Sequence, residues 1–214
     1  MESSGTVVDL KYFQVCSNHM LVFQKALASI EVKAERIENL DDHTLERELY
    51  SDYFESTDAL EESGMITVVF AAMCLEASLN QFGAFNLGHD YFNDHLDRLR
   101  PTSKLTILTR LVLSQDYPTD ASDFVLFRQL FSDRNAYVHF KSKRVQGRDV
   151  QTEQEWIMAF REEVENAMRA VLQVSARINR MCRDFRQKYP ESSVSPLGGF
   201  PLNLDRDKHL QKYA

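Results

Sequence analysis

Residues 157–185 read IMAFREEVENAMRAVLQVSARINRMCRDF, and their apolar positions recur every three or four residues. The recurring positions are Ile157, Phe160, Val164, Ala167, Val171, Val174, Ile178, Met181 and Phe185. This spacing places one continuous apolar stripe along one side of a long α-helix. We therefore expect a helix from about residue 153 to residue 189, ended by Pro190 and buried lengthwise against other helices.

A second stripe of the same kind lies near the start of the chain and predicts a helix over residues 10–40. Its positions are Phe13, Cys16, Met20, Phe23, Leu27, Ile30, Ala34 and Ile37. Between the two long helices the patterns predict shorter ones over 44–54, 61–82, 90–99, 103–113 and 122–140, with Ser103 as an N-cap and a turn at 83–88. We find no strand or hairpin signal. The predicted fold is all-α, an antiparallel up-and-down bundle with long first and last helices.

The chain has 214 residues, which suits one domain of good size. We predict a single helical domain over residues 1–190 and an extended arm over 191–214, where Pro196, Gly198, Gly199 and Pro201 interrupt any regular pattern. The N-terminus lacks a basic region followed by an apolar run, and the apolar run 65–75 is too short to cross a bilayer. We expect a cytoplasmic protein without a membrane partner, with Cys16, Cys74 and Cys182 as buried, reduced core residues.

The charge of the chain is unevenly distributed. The net charge of −7 argues against a general nucleic-acid coat protein, which would be basic. Residues 41–62 carry nine acidic side chains, which we interpret as a solvated helical face. Residues 134–148, in contrast, carry five basic side chains and no acidic one. A local positive surface on an acidic protein can still attract a polyanion.

The basic region begins with the residues that carry the chemistry, Arg134-Asn135-Ala136-Tyr137-Val138-His139, here called the motif segment. A neutral imidazole, with an ordinary pKa of about 6.5, can take the proton from an RNA 2′-hydroxyl. A guanidinium can bind the scissile phosphate and stabilise the charge that develops on it. This chemistry needs neither a metal ion nor a cofactor. The alternative is an Arg that caps or pairs within the structure, beside a surface or core His.

The spacing of the motif limits what one helix can do. Asn135 and His139 are four residues apart and share a helix face. Arg134 and His139 are five apart, which places them roughly 140° apart around the axis. A symmetric pair of such helices from two subunits would form a groove in which every residue is present twice. Arg134 is also long enough to swing round toward His139 within one subunit, so a homodimer is one of two solutions, and it is the one that we expect.

The motif RNAYVH resembles the signature of the HEPN superfamily, an Arg followed by a polar residue and by a His four to six residues after the Arg. The resemblance implies an all-helical bundle and, for many members, a dimeric metal-independent ribonuclease of toxin–antitoxin, CRISPR or antiphage systems. It implies RNA as substrate, an antitoxin or defence-system partner, and catalytic roles for Arg134, Asn135 and His139. Some members also carry a Tyr two residues after the His, whereas Lys141 occupies that position here. Other members have lost nuclease activity, so a catalytically silent binding or dimerisation module is the alternative.

Five further positions belong to the same prediction. Lys141, Lys143 and Arg144 follow the motif and are expected to hold the RNA backbone beside the scissile phosphate. Glu76 and Asn80 lie in FAAMCLEASLNQF, which is similar to an early helix of bacterial HEPN members. We expect Glu76 to be buried and to pair with Arg134 or His139, or with another Arg.

The segment HDYFNDH, residues 89–95, offers His89, Asp94 and His95 as metal ligands, but their spacing fits no standard zinc pattern. We interpret this segment as a solvated turn and helix start.

Overall fold

The computed structural model describes residues 6–38, 43–139, 150–197 and 208–213. These residues form α1 (Thr6–Glu38), α2 (His43–Leu87), α3 (His89–His95), α4 (Pro101–Leu113), α5 (Ser122–Val138) and α6 (Val150–Lys188), followed by a 3-10 helix over Lys208–Tyr213. The described part of the chain contains no strand. The predicted all-α helical bundle with long first and last helices is confirmed.

The two apolar stripes form much of the core. Every predicted stripe position of α6 from Ile157 to Met181 is buried, and Phe185 is partly buried against the core. In α1 the positions from Phe13 to Ile30 are buried, while Ala34 and Ile37 are partly buried. Burying stripes of this length against other helices is the main apolar contribution to the stability of a bundle.

Side-chain contacts define the direction of α1 relative to α2. Lys33, near the end of α1, donates a hydrogen bond of 2.8 Å to the carbonyl of Asp52, which lies early in α2. Tyr12, near the start of α1, meets the ring of Phe70 further along α2 at 5.8 Å. The two helices are therefore antiparallel.

The pair α5 and α6 is also antiparallel. Asp123, in the first turn of α5, binds Arg177 late in α6. Tyr137, in the last turn of α5, binds Glu163 early in α6. The C-terminal end of α5 therefore lies beside the first half of α6.

The helix α2 differs from the prediction of two helices and a turn at residues 83–88. It is one helix of 45 residues, because the stretch between the two predicted helices contains no Gly or Pro to interrupt it. Gly83 lies inside the helix, where a Cβ would lie 2.5 Å from the ring of Phe92. The chain turns instead at Gly88, whose φ of 90° favours glycine.

The start of α4 and the end of α5 also differ slightly from prediction. Arg100, and not Ser103, is the N-cap residue of α4, and Pro101 takes the first helical position. Proline suits that position because its φ is already helical and no N–H is needed there. The helix α5 ends at Val138 rather than at residue 140.

The described parts of the predicted arm lie against the bundle. Residues 192–197 have no regular secondary structure, and the side chain of Asn86 binds both the N–H and the carbonyl of Ser195. The 3-10 helix packs on α6, with Leu210 and Tyr213 fully buried and the Tyr213 hydroxyl accepting a hydrogen bond from Gln24 at 3.2 Å. The arm thus contributes buried apolar side chains to the domain.

The cysteines and the apolar part of α2 complete the description of the core. All three cysteines are buried, as predicted, and none of them forms a disulfide bond within the described residues. Residues 49–87 of α2 are long and apolar enough to cross a membrane by length and composition, and half of the qualifying window is buried within the bundle. Core helices of bundles share these properties, so the feature does not distinguish the two settings.

Candidate functional site

The motif segment lies at the C-terminal end of α5. Arg134 and Asn135 belong to the last turns of the helix, and His139 is its C-cap residue. The backbone N–H of His139 donates a hydrogen bond of 3.0 Å to the carbonyl of Asn135. The backbone of His139 therefore lies one helical turn beyond that of Asn135.

The polar groups of the motif segment are available to a ligand to different degrees. The side chains of Asn135 and His139 are exposed, whereas Arg134 is half-buried. Arg134 donates a hydrogen bond of 3.0 Å from Nη1 to Oδ1 of Asn135, and its buried Nε has no hydrogen-bond partner. Among the described residues no acidic side chain forms an ion pair with this guanidinium, so its charge is not neutralised within that part of the chain.

The structure joins the side chains of Arg134 and Asn135 by a hydrogen bond and, in the part of the chain that it describes, shows none from the imidazole of His139 to either of them. Within the described residues no hydrogen bond joins the guanidinium of Arg134 to the imidazole of His139. Five residues of helix correspond to about 7.5 Å along the axis and to roughly 140° around it. On an ideal helix the two groups would therefore point in different directions.

Beneath the motif segment lies a cluster that the sequence analysis did not identify. The Tyr137 hydroxyl donates a hydrogen bond of 2.5 Å to Oε2 of Glu163. Asp133 accepts one of 2.7 Å from Gln129, and burial raises the pKa of its carboxyl, with a smaller contribution from Glu163. Glu163 directly precedes the stripe residue Val164 in α6, so its position next to the apolar face was the available signal.

Glu76 is half-buried on α2, near enough to Lys104 of α4 for its charge to affect the ammonium group. Burial lowers the pKa of the Lys104 ammonium, and the negative charge of Glu76 opposes this effect. The fully buried Lys104 donates hydrogen bonds of 2.6 Å to Oδ1 of Asn80 and of 2.9 Å to the carbonyl of Asp97. Among the described residues no ion pair joins Glu76 to Arg134 or to His139, so the predicted pairing is not seen within this chain.

The other residues singled out in the sequence are not seen in this site. Lys141, Lys143 and Arg144 lie outside the residues that the structure describes. His89 and His95 are exposed, and their rings meet the exposed rings of Phe85 at 6.3 Å and of Tyr91 at 4.9 Å. No group of three or more potential metal ligands occurs in the described ranges, so His89, Asp94 and His95 do not form one.

Comparison with known proteins returned no match to any family model, curated protein or solved structure.

Proposed function

We propose that this protein is a metal-independent endoribonuclease that cleaves single-stranded RNA at a site built from the motif segments of two copies of the chain. One observation carries the proposal: an exposed imidazole, His139, follows one turn after an exposed amide that holds a guanidinium free of described acids. These are the groups that phosphodiester cleavage through a 2′-hydroxyl requires. The resemblance of RNAYVH to the HEPN signature supports the same activity and a toxin or antiphage role.

In the proposed reaction the imidazole of His139 accepts the proton of the 2′-hydroxyl, and the 2′-oxygen forms a bond to phosphorus. The bond from phosphorus to the 5′-oxygen breaks, and a protonated imidazole donates its proton to that leaving oxygen. Arg134 stabilises the negative charge on the non-bridging oxygens, and Asn135 orients the guanidinium. The products are a 2′,3′-cyclic phosphate and a 5′-hydroxyl end, and DNA cannot react because it lacks the nucleophile.

The need for two copies follows from the helix geometry. Acid and base must act on opposite sides of one phosphate, whereas a single α5 carries one imidazole, and residues five apart on an ideal helix point in different directions. Two motif segments related by a two-fold axis would supply a base from one subunit and an acid from the other. Lys141, Lys143 and Arg144 are proposed to hold the flanking backbone.

The direct test is incubation of the purified full chain with single-stranded RNA in EDTA. We expect cleavage that ends in 2′,3′-cyclic phosphates, no cleavage of DNA of the same sequence, and a fall of about 10²- to 10⁴-fold for His139→Ala. The matched control is His95→Ala, which removes another exposed histidine at a helix end and should leave the rate unchanged. Equal inertness of wild type and His139→Ala on several RNAs, or cleavage that disappears with EDTA, would refute the proposal.

The second candidate is a helical binding module without catalytic activity. Two large apolar side chains, Val138 in the motif segment and Met158 in α6, are 51% and 62% exposed and would suit a protein contact. This alternative predicts that Val138→Asp or Met158→Asp abolishes self-association or partner binding. It also predicts that the double substitution Arg134→Ala and His139→Ala has no effect on binding or on the biological activity.

A further inference from the structure

The motif segment extends beyond the buried part of α5. Leu130 and Phe131 are the last residues of α5 with buried side chains, at 2% and 7% exposure. None of the side chains from residue 132 to residue 139 is buried, and Tyr137 is the hydrophobic one among them that packs against the core. The position of the last turn therefore depends on very few contacts.

The contacts of Tyr137 are well defined. Its hydroxyl binds Glu163 of α6 at 2.5 Å, and its ring meets Phe160 edge-on at 6.3 Å. Phe160 is itself fixed, because it is 4% exposed, stacks on Trp156 at 5.1 Å and meets Phe23 edge-on at 5.8 Å. The last turn of α5 is thus joined to a rigid aromatic cluster of α1 and α6.

The hydrogen bond from Tyr137 to Glu163 is stronger than a bond between two neutral groups. Burial and the bond to Glu163 raise the pKa of the Tyr137 hydroxyl, so the phenol stays protonated and donates at all ordinary pH values. Its acceptor is a carboxylate, and hydrogen bonds to charged groups are roughly twice as strong as neutral ones. The loss of this hydroxyl should therefore loosen the whole turn that carries Asn135 and His139.

We propose that Tyr137, bound by Glu163, is the positioning residue of the candidate site: it fixes the last turn of α5 and with it the directions in which Arg134 and His139 point. This inference rests on the proposed function and deepens it. Tyr137 would touch neither RNA nor the reacting atoms and would act through the two residues that do.

The test compares Tyr137→Phe with Tyr117→Phe in the full-length protein. Both substitutions remove one hydroxyl that binds a carboxylate, since Tyr117 donates to Asp123 at 2.8 Å, but Tyr117 acts at the opposite end of α5. Two readouts are used: hydrogen–deuterium exchange of the amides at 134–139, and the kcat and KM of RNA cleavage in EDTA. Glu163→Gln, which keeps an acceptor, and Glu163→Leu, which has none, complete the set.

We expect Tyr137→Phe and Glu163→Leu to speed exchange at 134–139 and to lower kcat by about tenfold each, with KM unchanged, because only transition-state alignment is lost. The kcat of Glu163→Gln should stay within about threefold of wild type. Tyr117→Phe should change neither the exchange rate at 134–139 nor kcat.

Exchange at 134–139 that is the same in Tyr137→Phe and Tyr117→Phe would overturn the positioning role, as would a kcat unaffected by Tyr137→Phe. If wild type does not cleave RNA, the proposed function fails, while the exchange data still decide whether Tyr137 fixes this turn.

Discussion

The substitution Gly64→Ala should destabilise the bundle although alanine is the better helix former. Gly64 lies inside α2 against α6, and a Cβ there would lie 2.5 and 2.6 Å from the ring atoms Cζ and Cε1 of Phe160. It would also lie 3.0 Å from Cγ2 of Val164. Carbon atoms in contact are about 3.5–4.0 Å apart, so the ring would have to retreat by roughly 1 Å.

The ring of Phe160 has little room for such a movement. It is almost fully buried and is in ring contact with Trp156, Phe23 and Tyr137. Overpacking of this kind costs about 1–3 kcal/mol. The higher helix propensity of alanine offsets about 0.5–1 kcal/mol of this cost, so the middle of the two ranges gives a net loss of about 1 kcal/mol in the free energy of unfolding.

Urea denaturation of wild type and Gly64→Ala measures this loss directly. The double variant Gly64→Ala with Phe160→Leu supplies the control, because a smaller side chain leaves room for the new methyl group. We expect a coupling energy of about 1 kcal/mol or more between the two substitutions in a double-mutant cycle. A Gly64→Ala protein as stable as wild type, or a coupling near zero, would refute the packing argument.

Two further predictions concern buried ionisable groups. Because burial lowers the pKa of Lys104 below its ordinary value of 10.5, the folded protein releases this proton before the unfolded chain does, so the stability of wild type relative to Lys104→Met should rise with pH up to that value. Urea unfolding of both proteins across the alkaline range checks the sign, and a flat or falling difference would contradict it. Burial also raises the pKa of the Cys16 thiol to about 12 and raises that of Cys182. Iodoacetamide should therefore label these thiols at neutral pH no faster than local or global unfolding exposes them. Mass spectrometry that finds rapid labelling of either thiol would show that it is accessible.

The features that were predictable depend on local periodicity. The stripes of α1 and α6 were identified residue by residue, since a repeat of three and four residues has one helical interpretation. The helix that carries the RNAYVH motif was likewise predicted, over residues 122–140. Each of these inferences used neighbours within a few turns of the same helix.

The features that were missed depend on contacts between distant residues. Gly83 was interpreted as part of a turn, but its role is to leave space for the ring of Phe92 across a helix junction. Glu163 was not identified, because its role depends on a hydrogen bond from Tyr137 of another helix. Lys104 is a surface residue by type and a core residue by position, because Asn80 and the Asp97 carbonyl bind its ammonium.

The small amount of buried surface at residues 132–139 has a practical consequence for screening variants. A melting curve reports mainly the large apolar area shared by α1, α2 and α6, to which Tyr137 is the one hydrophobic contributor among these eight residues. Their helical turn could fray with only a small shift in the midpoint of the thermal transition. A variant that passes a dye-based melting screen can therefore have lost the arrangement of Arg134 and His139, and only probes of that turn will detect it.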